Sequence, residues 1–222
     1  MNKILFFLLL TFSGYSQVNQ GFYFSAGLNA NNFKSSDLIS AMGTGYKGGV
    51  VFCVGENENE NFQLELFYTN SAFSLKTIDK ETFEDVQDTK FNYGSLDLGM
   101  YYNFYFYPVD EDQFYIGAQA GLTIGFASTI EPTGSNGDNR NLLPNIIDAN
   151  QAFNELPIAT FSPGAGITWG YNDLRFGLRY NPGLTNILKF TETDSRDESN
   201  RYTGPSFKGT LSSVSFTLAY NL

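Results

Sequence analysis

Eight times along these 222 residues, apolar side chains occupy every second position for about ten residues. The last run closes the chain: Val214, Phe216, Leu218, Tyr220 and Leu222 alternate with Ser215, Thr217, Ala219 and Asn221. Side chains of a strand point alternately to its two faces, so each run describes a strand with one apolar and one polar face. Eight such strands predict an all-β fold, and the remaining features decide whether the apolar face covers a core or meets lipid.

The chain opens with a secretion signal. Met1, Asn2 and Lys3 give a positive start, Ile4–Phe12 is almost unbroken apolar chain, and Gly14 and Ser16 supply small residues before a cleavage at Gln17. The apolar run is shorter than the ~20 residues of a membrane helix. No Cys follows the cut, which excludes a lipoprotein reading. Residues 1–16 are therefore expected to be a signal peptide and residues 17–222 one barrel domain.

The alternation places strands at Gly21–Ala30, Gly45–Val54, Asn61–Thr69, Tyr93–Phe106, Gln113–Phe126, Thr160–Trp169, Leu174–Asn181 and Leu211–Leu222. The phase of the second stays open, because Val51 and Cys53 are as apolar as Val50 and Phe52. Long connections after strands one, three, five and seven alternate with short turns after two, four and six. Outer-membrane barrels show this rhythm, with short periplasmic turns and long outer loops. An even strand count leaves both termini on the periplasmic side.

Charges within the strands test the direction. With phases set by apolar residues alone, Lys47, Glu65, Asp97, Arg175 and Arg179 all fall on the face opposite the apolar one. Random placement would do this roughly once in thirty. A charge facing lipid costs ~2–4 kcal/mol at the midplane, so this face is the barrel interior. Outward aromatics form two bands, Phe22, Phe52, Phe62, Phe106, Phe114, Trp169, Phe176 and Tyr220 near one rim and Tyr46, Tyr68, Phe161 and Tyr180 near the other. Amphipathic rings favour both membrane interfaces. Inward Tyr101, Tyr105, Tyr115 and Gln119 crowd a barrel barely wide enough for its own side chains, which predicts a plugged interior.

Composition agrees. The 22 Gly, 22 Phe and 14 Tyr are many, and 16% charged residues is low against the ~25% of soluble domains. A net charge of −10 without a basic cluster excludes nucleic acid as a partner. There is no His, the commonest metal ligand and general base, and the single Cys53 forms no internal disulfide.

The stretches Phe62–Tyr68 (FQLELFY), Gly94–Phe106 (GSLDLGMYYNFYF), Phe114–Leu122 (FYIGAQAGL) and Phe176–Ile187 (FGLRYNPGLTNI), behind a signal peptide ending before Gln17, resemble the PorT-like outer-membrane β-barrel family. The resemblance runs over essentially the whole mature chain and implies fold and location. The founding member is linked to a protein-secretion and gliding system. Members often carry Pro where this chain has Gly99 and end in Phe where it ends in Leu222. The second departure touches the C-terminal signal of the barrel-insertion machinery; Leu is still apolar, so insertion is expected to survive.

Small barrels that are enzymes rely on His with Ser or Asp, a route closed here. Glu65 and Asp97 lie in neighbouring strands and could serve as acid and base, but Lys47, Arg175 and Arg179 can neutralise them as a structural plug. Asp194, Asp197, Glu198 and Asn200 fit no calcium-loop spacing, and Arg196 and Arg201 interrupt them. Asn136–Asn141 (NGDNRN) reads as a turn cluster, Cys53 as an apolar filler and Trp169 as an interface anchor.

The expectation is an eight-stranded antiparallel transmembrane β-barrel of the Gram-negative outer membrane. No catalytic, cofactor-binding or metal residue is assigned, and no cofactor is expected. Its partners are outer-membrane lipid, the barrel-insertion machinery, and a secretion or surface partner reached through the long loops. Two alternatives stay open: a secreted soluble barrel that binds a small apolar ligand, with the inside apolar, and a narrow channel.

Overall fold

A computed structural model describes residues 21–57, 59–106, 114–133, 140–144, 147–149, 153, 156–188 and 208–222. The expected signal peptide and the acidic stretch Asp194–Asn200 lie outside these residues.

Eight strands close a ring: β1 (Gly21–Ser35), β2 (Gly43–Asn57), β3 (Glu60–Asp79), β4 (Gln87–Tyr105), β5 (Tyr115–Pro132), β6 (Thr160–Tyr171), β7 (Leu174–Asn181) and β8 (Gly209–Asn221). Each pairs antiparallel with the next, and β8 returns to β1 with Phe24 opposite Tyr220 and Ala30 opposite Val214. Closure satisfies the backbone along the wall and removes the free sheet edge.

The wall is apolar outside and polar inside. Leu64, Leu66, Leu96, Leu98, Met100, Ile167, Leu178, Phe216 and Leu218 are exposed, whereas Ser25, Asn61, Gln63, Glu65, Asn103, Gln119, Arg175, Arg179 and Ser215 are buried. A soluble ligand-binding barrel needs the reverse. The open phase of β2 resolves with Val51 and Cys53 inward and buried, and with Tyr46 and Val54 exposed.

The strands outrun the sequence expectation at one end, because the alternation changes sense there. β3 continues from Thr69 to Asp79 and β4 begins at Gln87, so much of the expected second loop is a hairpin. In this extension apolar residues turn inward: Phe73, Leu75 and Phe91 are fully buried, as is Phe33 of β1. Phe73 stacks between Phe33 (4.8 Å) and Phe91 (5.8 Å). A register shift between Tyr93 and Ser95 turns Ile130 of β5 inward to join them. Leu142, Phe153, Ile187 and Leu188 complete an apolar cap over the barrel mouth. Above the lipid-facing band the protein is thus built like a soluble domain, with its apolar side chains inside.

Short strands fasten this cap. Ser40–Ala41 pairs with Ser74–Leu75, Arg140–Leu142 with Thr77–Asp79, and Ile147–Asp148 with Asn141–Leu142. Arg140, expected in a turn cluster, is instead buried; it donates to Thr77 Oγ1 at 2.8 Å, to Asp85 Oδ2 at 3.2 Å and to the Asp85 carbonyl. β7 stops at Asn181, and residues 182–188 patch the wall beyond it. Leu184 N–H donates to Phe161 O (3.1 Å), Phe161 N–H to Thr185 Oγ1 (2.7 Å) and Ile187 N–H to Gly209 O (2.8 Å). Irregular backbone is tolerated at such a depth when it lines a polar cavity, and these residues do.

Candidate functional site

The candidate site is the barrel interior, which is stacked in levels between the turn end and the cap. Nearest the turns, Tyr105 and Tyr115 meet edge to face at 5.3 Å beside Tyr23 and Arg175. Gly170 makes the room: a Cβ there would come within 2.4 Å of the Tyr115 ring. Asn61 Nδ2 donates to Tyr105 Oη (3.0 Å), and Asn103 Nδ2 to Asn61 Oδ1 (2.7 Å) and Gln63 Oε1 (3.2 Å). Arg175 donates to Cys53 Sγ (2.9 Å) and Thr168 Oγ1 (3.1 Å). Cys53 is therefore a hydrogen-bond acceptor as well as a buried filler.

One level up, the guanidinium of Arg179 spans the lumen to Glu65, donating Nη1 to Oε2 (2.7 Å) and Nη2 to Oε1 (2.8 Å). Nη2 also donates to Gln119 Oε1 (2.6 Å), and Gln63 donates to Glu65. The guanidinium carbon lies 3.4 Å from the centroid of the Tyr101 ring. Tyr101 Oη is held by Thr123 Oγ1 (2.6 Å) and Asn181 Nδ2 (2.8 Å). Gly164 leaves space for that hydroxyl, since a Cβ would sit 2.7 Å from it. An ion pair braced by further hydrogen bonds is how a barrel can carry charge inside.

Between this crossbar and the cap lies a polar cavity of about 90 Å³, bordered by Lys47, Asp97, Thr69, Ser95 and Thr160 among others. Lys47 Nζ sits 4.6 Å from the centroid of the Phe67 ring, and Asp97 Oδ2 accepts from Thr69 Oγ1 (2.6 Å). A cavity of this size holds several waters.

All five charges singled out in the sequence thus point into the lumen, but they do not form one cluster. Glu65 and Arg179 are joined, Lys47 and Asp97 border the cavity, and Arg175 stands apart among tyrosines. Glu65 and Asp97 are committed to different partners, so the arrangement offers no shared-proton carboxylate pair. Trp169 lies outside, stacked on Phe176 at 5.7 Å and near Phe216 at 6.1 Å. Sequence reasoning missed the apolar cap; its signal was the run Phe73, Leu75 and Phe91, out of phase with the lipid-facing residues below.

The family model described as "Outer membrane protein beta-barrel domain" matches residues 15–189. No curated protein matches the chain. Among solved structures, OprG of Pseudomonas aeruginosa aligns with 11% identity over 92% of this chain and 97% of its own, at a TM-score of 0.48. Neisserial surface protein A aligns with 14% identity over 93% and 100%, at 0.42. The attachment invasion locus protein Ail of Yersinia pestis aligns with 12% identity over 91% and 99%, also at 0.42.

Proposed function

The chain belongs to the outer membrane protein beta-barrel domain family, and on that premise we propose that it is a non-enzymatic integral barrel whose loop end faces the cell exterior and meets a partner there. Its signal peptide is Met1–Ser16, its mature barrel domain is Gln17–Leu222, and its closer kinship is with the PorT-like barrels. Both termini then lie in the periplasm. Lys47, Glu65, Asp97, Arg175 and Arg179 act as a structural filling, not as a reaction centre.

One observation carries this reading: among the described residues, the elaboration of the barrel is at one end. The extended β3–β4 hairpin, the short fastening strands and the apolar cap lie there. At the opposite end the described connection is the tight turn at Asn172–Asp173. Short turns on the periplasmic side and built-up loops outside are the pattern of such barrels. The acidic hairpin tip, with Asp79, Glu81, Glu84, Asp85 and Asp88, supplies outward surface, and the polar crossbar beneath the cap leaves the lumen filled.

Affinity capture of the detergent-solubilised protein, with mass spectrometry of what travels with it, tests the reading. Recovery of secretion or surface components, lost when the hairpin tip Lys80–Val86 is replaced by a Gly-Ser turn, supports it. Hydrolysis of a lipid or peptide by the purified barrel would refute it.

A further inference from the structure

Among the described residues, three strand cations and two carboxylates face the barrel interior, and the three cations are not treated alike. Of these three, among the described residues, only Arg179 has a carboxylate within ion-pair distance. Lys47 opens onto the larger cavity, which Asp97 also borders. Arg175 has neither. It is 5% exposed, and its hydrogen-bond partners are neutral groups: the Cys53 sulfur and the hydroxyls of Thr168 and Tyr105. An arginine cannot shed its proton to escape this position. A buried charge without a counter-charge is strongly unfavourable, so the geometry calls for a compensating anion.

The room for one is next to it. Arg175 and Arg179 both point inward from β7, with Gly177 between them. The missing side chain leaves a hollow of about 20 Å³ bordered by both arginines, Gly177, Thr168, Thr217 and Gln119. A Cβ on Gly177 would stand 2.8 Å from Thr217 Oγ1 and 3.4 Å from Gln119 Nε2. Among the described residues the Thr217 hydroxyl donates over a long 3.5 Å contact to the Gly177 carbonyl and can turn toward an occupant. Glu65 borders the hollow too, but Arg179 engages both of its oxygens. A single water needs about 10–15 Å³, so the space suits one small particle.

We propose that this hollow over Gly177 binds one small monovalent anion of the halide class, held between Arg175 and Arg179. The ion supplies the negative charge that the wall lacks. It acts as a removable part of the barrel core and makes folding stability depend on halide.

The test uses the refolded full barrel in detergent, with chloride titrated against gluconate at constant ionic strength and unfolding followed by circular dichroism. Each tenfold rise in chloride above its dissociation constant should multiply the folded-to-unfolded ratio about tenfold. Gly177→Ala fills the hollow while keeping both arginines, and its stability should no longer respond. Should that variant not fold, crystals of the unaltered protein grown in bromide decide the matter: an anomalous peak over Gly177 supports the site. Stability indifferent to halide, an equal response in Gly177→Ala, or a water alone in the hollow would overturn it.

Discussion

Glu65 of β3 and Arg179 of β7, 114 positions apart in the chain, face each other across the lumen through two hydrogen bonds of 2.7 and 2.8 Å. Both are buried, so removing one strands the other's charge. Glu65→Ala should cost about 3–5 kcal/mol of stability. The double variant Glu65→Leu/Arg179→Met should lose less than either single change, since it removes both charges of the pair together. Urea unfolding followed by the fluorescence of Trp169, the one tryptophan, measures both; a double variant worse than the worse single would contradict the account.

The apolar cap should respond separately from the wall. Phe73 packs against Phe33, Phe91 and Phe153, and Phe73→Ala should lower the free energy of cap opening by about 3–5 kcal/mol. Hydrogen exchange reads this at the amides of Lys76 and Leu143, which donate to Ile39 O and Lys76 O (both 2.9 Å). The amides of β6 and β7 should keep their protection.

Leu98 lies outward in the middle of the lipid-facing band, opposite Leu66 and Ile124. Leu98→Arg should destabilise the barrel in bilayers by about 2–4 kcal/mol. Folding yield into vesicles and the urea midpoint should both fall, while the change in a soluble fold would be nearly neutral for so exposed a position.

Asp79 ends β3 beyond the lipid-facing band, and its Oδ1 accepts from the amides of Thr82 and Glu81 (2.9 Å each). These hydrogen bonds hold its carboxyl below the usual carboxylate range. A lowered value means the ionised form is favoured by folding. Its support of the hairpin tip is therefore complete above the ordinary value of about 3.9 and fades as pH falls through the lowered one. The Thr82 and Glu81 amide shifts, followed by NMR, should titrate with a midpoint below that of free aspartate, and Asp79→Asn should abolish the titration.

The wall was legible in the sequence because lipid forces one rule on every strand. Leu174–Asn181 was read to the residue, and apolar residues alone set phases that the exposed Leu66, Leu98 and Phe216 share. The cap was not legible by the same rule. Phe73, Leu75 and Phe91 obey the opposite polarity, since beyond the lipid the same inward positions enclose a dry core, and a search for outward apolar residues ends at Thr69. Inward direction of the five charges followed from strand period, but not who meets whom. Glu65 meets Arg179 because of how far β3 and β7 lie around the ring, a property of closure that no single segment carries. Arg175's seat beside Cys53 depends on the same closure.

Orientation is the claim on which the functional reading stands, and surface labelling tests it most directly. Single cysteines at Glu81, on the β3–β4 hairpin tip, and at Asp173, in the β6–β7 turn, both occupy exposed positions, while native Cys53 is buried. A membrane-impermeant maleimide applied to intact cells should label Glu81→Cys at once and Asp173→Cys only after permeabilisation. Labelling of Asp173→Cys on intact cells with Glu81→Cys protected would contradict the account.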